Sequence, residues 1–251
     1  PPRGPSEMTY MSAVGPLGRS AQDVRAALNV TAGTEAPASK GYSWRLEPPR
    51  HTRLGDFRVG FVLDHVSAPV SSEVAHLLSN AVDAIARAGA TVVEGWPDGV
   101  DPAKAYESFG FHVGLFFAFQ QPGEPFPRLP ELIDQEILRM SARAAWGRYF
   151  DGVDVFLCPA NFTPAFPHDR RPFDERTITT PEGERPYNNQ PFWISHASLP
   201  GLPAGVAPIG RTPGGLPVGA QIIGPLYEDD TVLTFAERLG DVIGGYERPP
   251  A

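Results

Sequence analysis

Cys158 closes a short apolar run, Val153 to Cys158 (VDVFLC), which Pro159 ends. In an open α/β sheet the carboxyl end of a strand faces the ligand crevice. A thiol there can act as a nucleophile once a histidine lowers its pKa. The same position also suits a small buried apolar residue, the usual fate of a free cysteine. His168-Asp169 and Ser195-His196 supply acid, base and nucleophile types. Adjacent residues seldom point at one another, however, so each pair reads as a polar loop group. The six histidines (His51, His65, His76, His112, His168 and His196) never fall in HExxH or another close ligand pair. With a single cysteine, no metal site is expected. No GxSxG elbow, P-loop or GxGxxG occurs, so an exposed hydrolase serine and a backbone cradle for phosphates are both missing. No cofactor is expected.

Five aromatic residues, Phe162, Phe166, Tyr187, Phe192 and Trp193, gather around a Pro-rich stretch after Cys158. They either wall an apolar pocket or pack the loop down, because pockets and satellite cores share this composition. Glu228, Asp229 and Asp230 read as the negative first turn of a helix.

The elements that would hold these residues follow from periodicity. Ser20 opens a helix with Asp23 three residues on, Val24, Ala27 and Leu28 form its apolar face, and Gly33 can stop it. A Pro- and Arg-rich loop runs from Thr34 to Asp56. Phe57 to Leu63 reads as a strand, Ser71 to Ala88 as an amphipathic helix and Ala90 to Glu94 as the next strand, together a βαβ unit with parallel strands. Helices are expected over Pro102 to Phe119 and Leu129 to Phe150. The second takes Leu132, Ile133, Ile137, Leu138 and Met140 as its inner face. After the Val153 to Cys158 strand, the chain reads as loop as far as Pro191. Ala204 to Ile209 and Pro217 to Ile223 read as an antiparallel hairpin, and Thr231 to Val242 as a closing helix. The sum is an α/β fold, a mixed β-sheet covered by helices.

Composition narrows the partners. The 251 residues carry 21 Lys plus Arg against 29 Asp plus Glu, a formal net charge of -8, so no cationic face for nucleic acid or an anionic membrane is expected. The most apolar stretch, Phe109 to Phe119, is too short to span a bilayer and carries His112. No signal peptide is expected. One cysteine argues for a reducing, cytoplasmic setting over a disulfide scaffold.

Several stretches together resemble the amidase signature family. Gly15 to Asp23 (GPLGRSAQD) is similar to its GPxxRSxxD stretch, and Val155 to Asp169 (VFLCPANFTPAFPHD) to its strand and Pro-rich substrate-side loop. Leu199 to Gly224 resembles its GLPA…P.G…GLPVG.Q..G block, and Tyr227 to Glu237 (YEDDTVLTFAE) its following helix. The resemblance implies a mixed sheet with helices on both faces and hydrolysis of a carboxylic amide to acid and amine. In the family a serine attacks the carbonyl. A second serine, in a cis peptide bond, relays its proton to a neutral lysine, and backbone N–H groups hold the oxyanion.

The family's lysine and its GGSS loop lie upstream of GPxxRS. Here only fourteen residues precede Gly15, and neither Lys40, in a polar loop, nor Lys104, in a first helical turn, has the buried setting of a base. No triad residue carries over. Residues 1–251 are therefore expected to be the C-terminal part of one amidase domain, with 1–56 as a helix-and-loop lead-in and 57–251 as the α/β body. Alone, this part is expected to be inactive, to expose sheet edge and apolar surface, and to need its missing N-terminal half, a partner chain or a homo-oligomer. A non-catalytic amide-binding module that completes a split amidase, and a hydrolase using Cys158, are the alternatives. Contacts to a small-molecule amide are expected from Phe162, Thr163, Phe166, Phe192, Trp193 and His196. Arg19 and Asp23 are expected to brace a helix start.

Overall fold

The βαβ expectation holds in the computed structural model, which describes residues 13–34, 36–118 and 126–248. Strand β1 (Arg58–Phe61) leads through helix α2 (Ser72–Arg87) to β2 (Thr91–Glu94), and the two strands pair in parallel. Helix α2 forms because Val74, Leu78, Ala81, Val82 and Ile85 recur on one buried face. Strand β3 (Val155–Pro159) pairs in parallel with the other side of β1. Strand β7 (Pro217–Ile223) lies antiparallel between β3 and β6 (Ala204–Arg211), so the sheet runs β2-β1-β3-β7-β6.

Helices cover both faces. On one, Val59, Val155, Leu157, Ala220 and Ile222 pack against α2 and against Val232, Phe235 and Leu239 of α6 (Asp229–Ile243). On the other, Phe156, Cys158 and Ile223 pack against Trp146 of α4 (Leu129–Tyr149) and Phe192 and Trp193 of α5 (Pro191–Ser198). Strand β3 is buried along its whole length, as a central strand covered on both faces must be. Gly60 on β1 cannot be replaced cheaply, since an added Cβ would stand 1.6 Å from the Tyr149 hydroxyl.

Helix α1 (Ala21–Thr31) is capped by Ser20, whose Oγ accepts the Asp23 N–H at 3.1 Å. Its expected apolar face is only half-buried, and no residue of α1 is buried. Arg25 ties it down instead, with Nε 2.5 Å from Asp230, Nη1 2.9 Å from Glu237 and Nη2 2.8 Å from the Thr234 hydroxyl.

Two expectations need correction. The Pro159–Pro191 stretch is not all loop: β4 (Thr177–Thr180) and β5 (Gly183–Pro186) form an antiparallel hairpin, with Ile178 and Thr180 turned inward. Its four-residue strands are too short for periodicity to mark. The helix expected over Pro102 to Phe119 is present as α3 (Pro102–Ala118), and Phe119 lies outside the described residues. Helix α4 buries a different face from the one expected. Ala142, Ala145 and Trp146 are inside, while Ile133, Ile137 and Met140 are 49, 60 and 50% exposed. Of the expected set, Leu138 packs on Ala105, Phe109 and Leu199. The large Trp146 ring, stacked on Phe150 and edge-on to Phe156, fixes the contact at the C-terminal half.

Candidate substrate-site wall

The carboxyl ends of β1, β2 and β3 open on one side of the sheet, and the segments that leave them meet α5 there. Proline at the first position starts α5, and its short length turns Phe192, Trp193, Ser195, His196 and Ala197 inward together. His65, after β1, stacks on Phe192 with ring centroids 4.9 Å apart. Trp96, after β2, lies edge-on to His196 at 4.5 Å and roughly parallel to Trp193 at 6.2 Å. Tyr106 of α3 meets Phe192 at 5.4 Å. His65, Trp96 and Tyr106 are half-buried and form the outer part of the cluster; Phe192, Trp193 and His196 form its floor.

Gln221 of β7 ties this floor to the sheet. Its Nε2 donates to the Trp193 carbonyl at 2.9 Å and to Cys158 Sγ at 3.1 Å. The cysteine is fully buried, and burial pushes its thiol up to about 12, with the Gln221 donor only partly opposing. Cys158 is therefore a protonated core residue, which removes the nucleophile reading. Ser195 is also occupied: its hydroxyl donates to the Phe192 carbonyl at 2.6 Å within α5. His196 is buried, with neither ring nitrogen bonded, and burial, aided by His65, lowers its pKa to about 3. The imidazole stays neutral across the working range. Trp193 Nε1 is likewise buried without a partner. Serine and histidine share a helix here but do not form a dyad.

His168 is exposed, and its neighbour Asp169 is claimed by Arg171 at 2.6 Å, which holds the carboxyl at about 2. Lys104 sits 70% exposed beside Asp101, and Lys40 is exposed in a single turn. Neither can serve as a desolvated base. At the start of α6, Arg50 binds both oxygens of Glu228 at 2.7 and 2.8 Å and Arg25 takes Asp230.

Of the six expected contact residues, Phe162, Phe192 and Trp193 share one buried cluster, Phe166 packs at its margin and His196 joins it through Phe192 and Trp96. Thr163 is buried next in chain to Phe162. Sequence reasoning missed His65 and Trp96. The signal was there, since both follow strands of the βαβ unit at their ligand-facing ends.

The family model described as Amidase matches residues 6–118 and 130–233. The chain belongs to the amidase family. All four stretches that carried the resemblance fall within or overlap the matched residues. Among curated amidase relatives, a glutamyl-tRNA(Gln) amidotransferase subunit from Rhodospirillum rubrum is 25% identical over 270 residues, covering 90% of this chain and 52% of the relative. The corresponding protein of Gluconobacter oxydans is 30% identical over 152 residues, covering 59% of this chain and 26% of the relative. A bacterial aryl acylamidase of the amidase signature enzymes shares the fold, with TM-score 0.73 and 17% identity over 96% of this chain and 56% of that one. Fatty acid amide hydrolase does so at TM-score 0.64 and 18% identity, over 92% and 48%. The chain thus spans about half the length, or less, of these amidase relatives. No described helix is long and apolar enough to cross a membrane.

Proposed function

We propose that this chain forms the scaffold and one wall of the substrate site in an enzyme that hydrolyses a carboxylic amide to acid and amine. The nucleophilic serine, the relay serine and the lysine base come from polypeptide outside these 251 residues. The family match supports amide chemistry. The observation that supports the division of labour is that the nucleophile and base candidates read from the sequence are unsuited to attack. Cys158 is a protonated core thiol, Ser195 bonds back to its own helix, and Lys40 and Lys104 are exposed. Attack on an amide needs a hydroxyl beside a base, and fixed donors for the oxyanion.

Within that enzyme, Phe162, Thr163, Phe166, Phe192, Trp193 and His196 shape the acyl or leaving-group side of the site. A neutral imidazole and an indole N–H among aromatic rings favour uncharged groups over ionic ones. A second reading, a non-catalytic subunit that completes a split amidase, draws support from curated relatives that are themselves named as subunits.

Labelling the active enzyme with a fluorophosphonate and locating the modified serine tests the proposal. The label is expected on a serine outside residues 1–251; a label on Ser195 or another serine of this chain would overturn it. In the same enzyme, Trp193→Ala is expected to change kcat/KM unequally across an amide panel, whereas a uniform loss would place Trp193 in folding alone.

A further inference from the structure

The apolar residues that α4 leaves outside form a stripe of their own. Ile133, Ile137, Met140 and Ala144 recur at helical spacing along its outer face, and all are exposed. A contiguous exposed apolar row of this kind marks a contact surface. The stripe is graded in size, with bulky side chains in the N-terminal half and Ala144 and Gly147 in the C-terminal half. Gly147 is exposed within the helix, and a Cβ built there would meet nothing within 4 Å. Glycine weakens a helix interior relative to alanine, so packing among the described residues gives no reason for it.

The charges of α4 are graded too. Glu131 pairs with Arg128, Glu136 pairs with Arg139, and Arg143 Nε donates to the Pro200 carbonyl at 2.6 Å. Asp134 and Arg148 are exposed and, among the described residues, their side chains make no ion pair or hydrogen bond. They stand about four turns apart on the same flank of the stripe, an acid beside its bulky half and a base beside its small half.

We infer that the outer face of α4 is the contact of a homodimer, in which the helix packs antiparallel on α4 of a second copy with the two-fold axis at Ser141. Reversal about Ser141 sets Ile133 beside Gly147 of the second copy, Ile137 beside its Ala144, and Met140 beside its Met140. The same operation sets Asp134 opposite Arg148 of the second copy, and each contact occurs twice. Bulky residues thus meet small ones, as ridges meet grooves, and each unpaired charge meets its opposite. A parallel pairing would set bulky on bulky and leave a gap between the small halves. An anionic membrane fits less well, because Glu131, Asp134 and Glu136 crowd the half that carries the bulky side chains. The face runs about 27 Å from Pro130 to Arg148, short for a permanent interface, so a monomer–dimer equilibrium follows. The contact lies on the side of α4 away from Trp146 and does not depend on the proposed division of catalytic labour.

Sedimentation equilibrium of the protein as its gene encodes it tests the pairing. A concentration-dependent dimer is expected. Asp134→Arg and Arg148→Asp should each raise its Kd about tenfold or more, and the two together should restore it. Ile137→Asp should raise the Kd about 30-fold or more while leaving the urea midpoint of the dilute monomer unchanged. Because Cys158 is buried, mild oxidation reports on introduced thiols alone: Ser141→Cys should cross-link to itself across the axis, and Ile133→Cys should not. A protein that stays monomeric at about 100 μM overturns the inference. So does a dimer indifferent to the Ile137 and charge variants, or one in which Ile133→Cys cross-links to itself and Ser141→Cys does not. A lowered urea midpoint for the dilute Ile137→Asp protein would give the stripe to another segment of the same polypeptide. Binding to phosphatidylcholine vesicles that Ile137→Asp abolishes, without a dimer, would give it to lipid. Either result likewise overturns the homodimer.

Discussion

Gln221 Nε2 lies 2.9 Å from the Trp193 carbonyl oxygen, and this bond fastens α5 to β7. A helix of eight residues has little stability of its own, so its position depends on such ties and on the burial of its rings. Gln221→Ala leaves the carbonyl buried without a donor and is expected to cost about 2 kcal/mol in urea unfolding at unchanged m-value. Gln221→Leu, which fills the space but cannot donate, should recover little of that loss. Full recovery would show that packing, not the hydrogen bond, positions α5.

Cys158 gives a second check on the same floor. Its thiol has no accessible surface, and burial disfavours the thiolate. Iodoacetamide at pH 8 is expected to modify it no faster than global unfolding allows, and promptly in urea. Rapid modification of the folded chain would restore the nucleophile that the geometry removes.

Much of this arrangement is legible in the sequence, for definable reasons. Helix α2 and strands β1 and β2 are readable because their apolar residues follow a single period and Gly89 punctuates them. The position of Cys158 at a strand end is readable too, yet only the packed neighbours Gln221 and Trp193 decide that the thiol is core. His65 and Trp96 converge on α5 from different connections, which no local pattern encodes. Helix α4 defeats periodicity because its apolar residues outnumber what one face can bury, and a spacing rule cannot say which face meets the sheet.

The two faces of α4 allow a direct comparison. Trp146 is 1% exposed among Phe150, Phe156 and Tyr149, whereas Ile137 is 60% exposed. Trp146→Ala is expected to cost about 3–5 kcal/mol and Ile137→Lys less than about 0.5 kcal/mol. The reverse order, measured by urea denaturation of the same chain, would return the helix to the face its periodicity favours.

Helix α1 is attached chiefly by charge. Arg25 reaches Asp230, Glu237 and Thr234, and its guanidinium holds the Glu237 carboxyl below the ordinary range, against the opposing cost of burial. A depressed carboxyl pKa stabilises the folded form above the unfolded pKa and loses that contribution as pH falls through the folded one. Limited proteolysis between Ala13 and Asp56 should therefore accelerate below about pH 4. Arg25→Ala should produce the same susceptibility at pH 7 and abolish its pH dependence. If cleavage of the variant stays as slow as that of the parent, the apolar contacts of Val24 and Leu28 hold the helix unaided.

His196 carries the sharpest pH signature. Its folded pKa of about 3 lies far below the ordinary 6.5, because burial, with a smaller push from His65, opposes the charge. The unfolded chain therefore binds a proton that the folded chain refuses, and stability present above pH 6.5 declines as pH falls toward 3. The slope approaches about 1.4 kcal/mol per pH unit, so roughly 2 kcal/mol should be lost between about pH 7.5 and 5. His65, whose pKa is also lowered by burial, adds to the decline in the same direction. Neither nitrogen of His196 has a partner to forfeit, so His196→Phe should preserve stability at about pH 7.5 and remove most of the acid-dependent loss, with His65→Asn removing the remainder. An unchanged pH profile in His196→Phe would mean that the imidazole meets solvent or a proton acceptor in solution. The neutral, aromatic character assigned to this wall of the site would then have to be abandoned.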